Sequence, residues 1–239
     1  MKPILVVGSI NVDYFIRMPR MPKAGESMVV ERIRKRLGGK GANQALAVAK
    51  LGCPVEYIGM VGSDENGTFL RHTLREYGVS VECLLMSTRA STGMAIILLE
   101  DNGENRILVD KGANDDLKIA DLEVILAPDK YSAVLLQLEI PLQTVSYVIR
   151  ESQKWGLPVI VDAGPATSCD LSTFRGVDVL TPNQTETEAL TGMPARSIDE
   201  AKAACAFLKA KTEANSIVLK MGSMGALSMR FTALQVVSL

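Results

Sequence analysis

From Ala133 to Lys220 the chain repeats one pattern: a short, continuous apolar run, a turn, then a segment with apolar residues at helical spacing. Ala133 to Leu138, Val159 to Asp162, Val177 to Leu180 and Ser216 to Lys220 read as strands buried on both faces. Pro141 to Trp155, Glu186 to Leu190 and Ile198 to Ala210 read as helices. The first of these has proline in its opening turn and Leu142, Val145 and Ile149 on one side. Strands that alternate with helices build a mostly parallel sheet covered on both faces. Ile4 to Gly8 has the same buried-strand pattern. In such open sheets, ligands sit outside the carboxyl ends of the strands, so the residues that follow each strand are the first to search for chemistry.

The segments before Ala133 follow a second pattern in part. Val12 to Met18 and Met28 to Leu37 are strand-like with interleaved polar residues, and a turn around Pro19 and Pro22 separates them. Thr92 to Leu99 and Arg106 to Val109 flank Glu100-Asp101-Asn102-Gly103-Glu104, a hairpin signal. These segments predict a small antiparallel sheet with one face exposed, set apart from the parallel layer as a lid or appendage. Between them, Ala42 to Leu51 and Asp64 to Tyr77 read as helices stopped by Gly52 and Gly78, with Val55 to Val61 as a strand.

Composition narrows the function classes. Lys and Arg total 26 against 27 Asp and Glu, so there is no overall electrostatic footprint for nucleic acid or anionic membranes. The basic run Arg32-Ile33-Arg34-Lys35-Arg36 is local, and its alternation reads as the polar face of a strand, with an anion site as the other reading. One histidine, His72, on a helical pattern, excludes metal sites that need several imidazoles. Cys53, Cys83, Cys169 and Cys205 are widely spaced, with no CxxC, which points to reduced thiols rather than a zinc site or a disulfide scaffold. The apolar stretch after Met1 is too brief for a signal peptide, and no run approaches a membrane span, so the expected compartment is the cytoplasm.

Five segments carry possible chemistry. Gly38-Gly39-Lys40-Gly41-Ala42-Asn43-Gln44 lies between a strand and a helix. It is not a P-loop, because Gly41 follows the lysine and Arg34 stands at the first glycine position; nor is it a dinucleotide fingerprint, because Gln44 replaces the third glycine. Glycines there permit close backbone approach to a small ligand, or simply a tight turn. Gly8-Ser9-Ile10-Asn11-Val12-Asp13 follows the first strand; Asn11 and Asp13 share a face and suit sugar hydroxyls, and an Asx turn is the plain alternative. Gln137-Leu138-Glu139 ends a buried strand on a carboxylate. Thr181-Pro182-Asn183-Gln184-Thr185-Glu186 opens a helix, where Asn183 and Glu186 have capping-box spacing. Gly222-Ser223-Met224-Gly225 follows a strand and is either an amide-rich anion turn or a hairpin.

Together these segments resemble the ribokinase branch of the PfkB-type carbohydrate kinase family, from residue 4 to about residue 228. The resemblance rests on Gly8 to Asp13, Gly38 to Ala45, Gln137 to Pro141, Thr181 to Glu186 with its Asn-x-x-Glu motif, and Leu219 to Gly225. It implies one ribokinase-like α/β domain over residues 1–239, with a three-layer α/β/α core and antiparallel lid segments at about 12–37 and 92–110. It implies a cytoplasmic transferase that moves the γ-phosphoryl group of MgATP to the terminal hydroxyl of D-ribose. Asn11, Asp13, Gly39, Lys40, Asn43 and Glu139 would bind the sugar; Asn183, Lys220, Gly222, Ser223 and Gly225 would bind the nucleotide; and Glu186 would place Mg²⁺ through water. A homodimer formed through the lid is also implied.

The resemblance has one gap. The family's second signature, an Asp-Thr-x-Ala/Gly-Ala/Gly-Gly-Asp-like run, does not follow the Gly-Ser-x-Gly turn, and no Asp or Glu follows Glu213. The catalytic base, the adenine pocket and the family's K⁺ loop would lie beyond Leu239. The expectation is a C-terminally truncated or misread ribokinase, with no catalytic base of its own and the last part of the core missing. Two other readings stand beside it: a catalytically inactive sugar-binding or dimerisation remnant, and a kinase for another sugar or a nucleoside.

Overall fold

A computed structural model describes residues 1–230 and 234–237. In chain order the elements are β1 (Ile4–Val7), β2 (Asn11–Met18), β3 (Ile33–Gly38), α1 (Lys40–Lys50), β4 (Val55–Gly62), α2 (Glu65–Glu76), β5 (Leu84–Ser87), β6 (Met94–Glu100) and β7 (Asn105–Asp110). They continue with α3 (Ile119–Ile125), β8 (Ala133–Leu136), α4 (Leu142–Lys154), β9 (Val159–Asp162), β10 (Val179–Thr181), α5 (Gln184–Thr191), α6 (Ile198–Thr212), β11 (Ser216–Lys220), β12 (Ala226–Arg230) and β13 (Leu234–Val237). The chain divides into two compact units. The first is Met1–Val7 with Lys118–Leu239; the second is Gly8–Leu117.

The first unit carries the alternation. Strands β1, β8, β9, β10 and β11 lie side by side in that order, and every pair is parallel. Each step from β8 to β11 places one strand beside the last, the outcome that short right-handed crossovers favour. Leu5, Val134, Leu136, Val159, Val161, Leu180, Ile217 and Leu219 are buried, as a sheet covered on both faces requires. Helix α4 packs on β9 through Val145, Val148 and Ile149, and α6 packs on β11 and β12. Strands β12 and β13 extend the sheet antiparallel; the β11–β12 turn is the hairpin reading of Gly222 to Gly225, while no pattern in the sequence announced β13. Part of the unmatched ending, residues 231–233 and 238–239, lies outside the described residues.

The second unit holds the lid and the strand–helix elements of the first half. The lid sheet has the order β3-β2-β6-β7. Its outer pairs, β2–β3 and β6–β7, are antiparallel hairpin pairs, while the central pair β2–β6 runs parallel. The parallel pair follows from chain length: α1, β4, α2 and β5 intervene between the two hairpins, so β6 is free to enter alongside β2 in the same direction. Strand β3 begins at Ile33 rather than at Met28, because pairing with β2 starts at Ile16↔Ile33. Strands β4 and β5 pair in parallel. Helix α2 starts where Asp64 accepts the Gly67 N–H at 2.8 Å, an N-cap. His72 is exposed on α2, beside Glu76 at 3.5 Å. All four cysteines are free, and burial pushes the Cys205 thiol up to about 12, so it is an inert core residue. Among the described residues no helix is long and apolar enough to cross a membrane.

Candidate active site

The second unit brings Asn11, Asp13, Gly39, Lys40 and Asn43 onto two adjoining pieces of chain: the start of β2, and the junction of β3 with α1. The glycines between them explain the closeness. Gly39 has φ 86°, and a Cβ there would stand 2.8 Å from the Ile10 Cα and the Ser9 oxygen. A Cβ at Gly41 would meet the Gly8 and Ser9 backbone at the same distance. A Cβ at Gly38 would overlap the Asp13 carboxylate. The glycine run therefore lets the helix start lie directly on the Gly8–Ile10 loop, with the Asp13 carboxylate over bare backbone.

The first-turn amides of α1 are spent inside the protein. Ala42 N–H donates to the Ser9 carbonyl at 2.9 Å, Asn43 N–H to the Gly39 carbonyl at 3.0 Å, and Gly41 N–H to Ser9 Oγ at 3.4 Å. An anion has little to gain at this helix start, which agrees with the failed P-loop pattern. The side chains gathered at this junction are the half-buried Lys40 ammonium, the exposed Asn43 amide and the half-buried Asp13 carboxylate.

Asn11 is held by a residue that the sequence reading missed. Asn114, buried at 1% exposure, donates through Nδ2 to Asn11 Oδ1 at 2.8 Å and to the Lys111 carbonyl at 2.9 Å. Its Oδ1 accepts from the Ile10 N–H at 2.8 Å. Asn114 thereby fixes the Asn11 amide so that its Nδ2 is the group left to donate. Asn114 follows the β6–β7 hairpin by several residues and sits in no spacing motif, so nothing in the sequence marks it. Gly93 makes room: a Cβ there would overlap both amides.

A second support is Asp64, which accepts from Thr92 Oγ1 at 2.6 Å and from Thr92 N–H at 2.8 Å, besides capping α2. Burial alone would raise this carboxyl; the bonds from Thr92 and Gly67 outweigh it and hold the group below its ordinary range. The pair ties α2 to Thr92, two residues before β6.

The first unit gathers the ends of β9, β10 and β11. Lys220, the last residue of β11, points its ammonium to Asp162, the last of β9, at 2.6 Å, with Glu186 at 3.7 Å. Asp162 is a second missed residue, although its place at the end of a buried strand was a usable signal. Asn183 and Glu186 form a complete capping box: Asn183 Oδ1 accepts from the Glu186 N–H at 2.8 Å, and Glu186 Oε2 accepts from the Asn183 N–H at 2.7 Å. The structural reading of that motif is thus realised. Glu186 is 3% exposed, and the box uses one of its two oxygens.

Gly222 to Met224 form a single 3-10 turn that also links β11 to β12 as a hairpin. Met224 N–H bonds back to the Met221 carbonyl at 3.1 Å, and Gly222 and Ser223 are exposed residues. Glu139 is half-buried after β8, and Leu138 beside it donates to the Gly164 carbonyl at 2.9 Å. Among the described residues no cluster of three His, Cys, Asp or Glu forms a ready metal cage.

Comparison with known proteins bears on the family and the fold. The sequence profile of the pfkB family carbohydrate kinases matches residues 1–237. The ribokinase of Arabidopsis thaliana is 34% identical over 232 residues, which cover 94% of this chain and 60% of that protein. The deoxyribokinase of Salmonella typhi is 37% identical over 229 residues, covering 95% of this chain and 74% of that protein. The solved structure of Arabidopsis thaliana ribokinase complexed with ribose and ATP superposes with a TM-score of 0.89 at 32% identity, over 99% of this chain and 78% of that one. The chain thus spans between about three fifths and three quarters of the length of these relatives.

Proposed function

Since the chain belongs to the pfkB family of carbohydrate kinases, we propose that it takes part in transfer of the γ-phosphoryl group of ATP to the terminal hydroxyl of D-ribose. The observation that carries this reading is the Asp13 carboxylate lying over Gly38, next to an Asn11 amide oriented by Asn114. A carboxylate accepts from two neighbouring sugar hydroxyls, and an amide donor beside it fixes which ones. Lys40 and Asn43 supply further polar groups from the α1 side, and Glu139, in the first unit, belongs to the same expected set. None of these contacts calls for a charged sugar.

For the nucleotide, the exposed turn at Gly222 and Ser223 and the ammonium of Lys220 suit phosphate oxygens. Phosphoryl transfer needs positioning and charge neutralisation more than covalent chemistry, and such groups give both. The donor set also fits Mg²⁺ held through water: the capping box leaves one oxygen of Glu186 uncommitted, and Asp162 lies with it around one cation. Mg²⁺ keeps several waters and is commonly held by one or two carboxylates. When bound, it would neutralise phosphate charge, while Glu186 and Asp162 would orient its waters.

The Salmonella deoxyribokinase gives a second substrate its standing. Calorimetry with D-ribose and 2-deoxy-D-ribose, beside a coupled assay for ADP formation, tests both. Ribose-dependent ADP formation supports the kinase reading. Heat of ribose binding without turnover supports the sugar-binding alternative, and preference for the deoxy sugar moves the substrate. No response to either sugar overturns the reading of Asp13 and Asn11.

A homodimer through the lid is part of the same proposal. Strand β7 is a sheet edge that exposes Ile107, Leu108 and Val109 at 55%, 60% and 59%. An apolar edge with open backbone groups pairs readily with a second copy. Sedimentation of the parent against Leu108→Lys would show a dimer becoming a monomer.

A further inference from the structure

The basic run Arg32 to Arg36 is not used by any step above. In the structure it becomes one wall of a cleft of about 310 Å³ on the lid of the second unit. Strand pairing sets the wall. Arg36 stands opposite Asp13 and Arg34 opposite Phe15, so the arginines at alternate positions share a face with Asp13, Phe15 and Arg17. On the other side of β2, Phe15 pairs with Ile97 and Arg17 with Leu99, which closes the cleft with an apolar side chain. The lining therefore holds four guanidinium groups, from Arg17, Arg32, Arg34 and Arg36, beside Phe15 and Leu99.

The charges are poorly matched within the protein. Arg17 pairs with Asp101 at 2.9 Å. Among the described residues, no carboxylate ion-pairs with Arg32, Arg34 or Arg36, and Glu31 is the one acidic residue in the lining. Arg36 lies 5.5 Å from the centre of the Phe15 ring, a contact that orients the guanidinium without neutralising it. Like charges gathered on neighbouring positions of a sheet repel, so grouping these arginines carries a cost that the Asp101 pair of Arg17 meets only in part. Lys35, between them, turns to the opposite face and sits over Phe69 at 4.4 Å, so the excess is a property of one face.

We propose that this cleft binds a small organic phosphate, with phosphoryl oxygens taken by Arg32, Arg34 and Arg36 and its carbon framework resting on Phe15 and Leu99. Arginine presents a planar fork that matches phosphate oxygens two at a time. Alternate residues of a strand are about 7 Å apart, so two neighbouring guanidinium groups grip a diphosphate from both ends. The site stands apart from a neutral sugar, which gains nothing from three cations, and it adjoins the sugar residues only through the Arg36–Asp13 pair. It lies on the β3 side of the sheet, away from the β7 edge.

Calorimetric titration with inorganic pyrophosphate and with ADP tests the site, using the parent chain, Arg32→Gln/Arg34→Gln and Arg17→Gln. These side chains are on the surface, and unchanged circular dichroism and thermal midpoint would show each variant folded. The parent is expected to show a pyrophosphate-binding event that weakens at least tenfold in the double variant and several-fold in Arg17→Gln. ADP binding this cleft more tightly than pyrophosphate assigns a role to Phe15 and Leu99; equal affinity assigns the phosphates alone, and either upholds the site. Pyrophosphate affinity that is the same in all three proteins overturns it, as does an equal response to chloride at matched ionic strength. Because the readout is binding at arginines outside the sugar residues, failure here leaves the kinase reading standing.

Discussion

At the residue scale, two side chains outside the proposed ligand contacts, Asn114 and Asp64, hold parts of the second unit together. Asn114 makes buried hydrogen bonds to the Ile10 backbone and to Asn11. Its replacement leaves several buried polar groups without a partner, each costing about 1–3 kcal/mol in part. Asn114→Ala should lower stability by about 2–4 kcal/mol by this reckoning, measured by urea denaturation, and should raise the sugar dissociation constant more than Asn114→Asp does. Asp64 gives a pH test. Its carboxyl is held below the ordinary value by Thr92 and Gly67 against the pull of burial, so its ionised form stabilises the fold. That contribution is complete above the unfolded carboxyl value of about 3.9 and is lost as pH falls through the lower folded value. Asp64→Asn should therefore cost about 1 kcal/mol near neutrality, and the gap to the parent should close below about pH 4. A gap that stays constant from pH 3 to pH 7 in chemical denaturation would contradict it.

At the scale of elements, two helix starts with similar sequence signals do different work. The α1 start is buried against the Gly8–Ile10 backbone, and its amides are consumed there. Gly41→Ala forces a methyl to 2.8 Å from the Gly8 and Ser9 backbone, atoms that cannot swing aside. The outcome should be a loss of about 1–3 kcal/mol, as for other overpacked positions, with weaker sugar binding. The α5 start closes on itself through the Asn183–Glu186 box. Asn183→Ala should cost about 1 kcal/mol, whereas Asn183→Asp keeps the acceptor and should retain nearly all the stability. If Asn183 also faces phosphate, the aspartate variant will lose ATP affinity while stability holds, which separates the two roles. Both helices were legible from their glycine, asparagine and glutamate spacing. What the spacing could not reveal is where their first amides point, because that depends on which loop lies against each end.

At the scale of the molecule, the proposal puts the sugar residues other than Glu139 in the second unit and the nucleotide residues in the first. Hydrogen exchange should then separate them. D-ribose is expected to slow exchange at residues 8–13 and 38–43 of the second unit, and ATP at 183–186 and 220–225 of the first. Protection by ribose confined to the first unit would count against the assignment of Asp13 and Asn11. The parallel layer β1-β8-β9-β10-β11 was readable because buried strands between amphipathic helices allow few other arrangements. The lid was readable as two hairpins, yet not in its centre: that β2 and β6 run parallel depends on how the chain returns after β5, which local alternation does not encode. Strands β5 and β13 and helix α3 went unrecognised because they are short and carry no strong period.

The sequence by itself determined the class of the fold and the glycine positions that admit close backbone approach, since periodicity and spacing are local properties of a chain; the division of the candidate residues into a sugar set and a nucleotide set came from the family resemblance. The tertiary structure decided the rest. It placed Asn114 behind Asn11 and Asp162 against Lys220, across 103 and 58 residues of chain respectively. It also turned an alternating basic strand into a cleft with Phe15 and Leu99. Such pairings are set when separate elements bury their apolar faces together, and no local pattern records which polar groups that burial brings face to face.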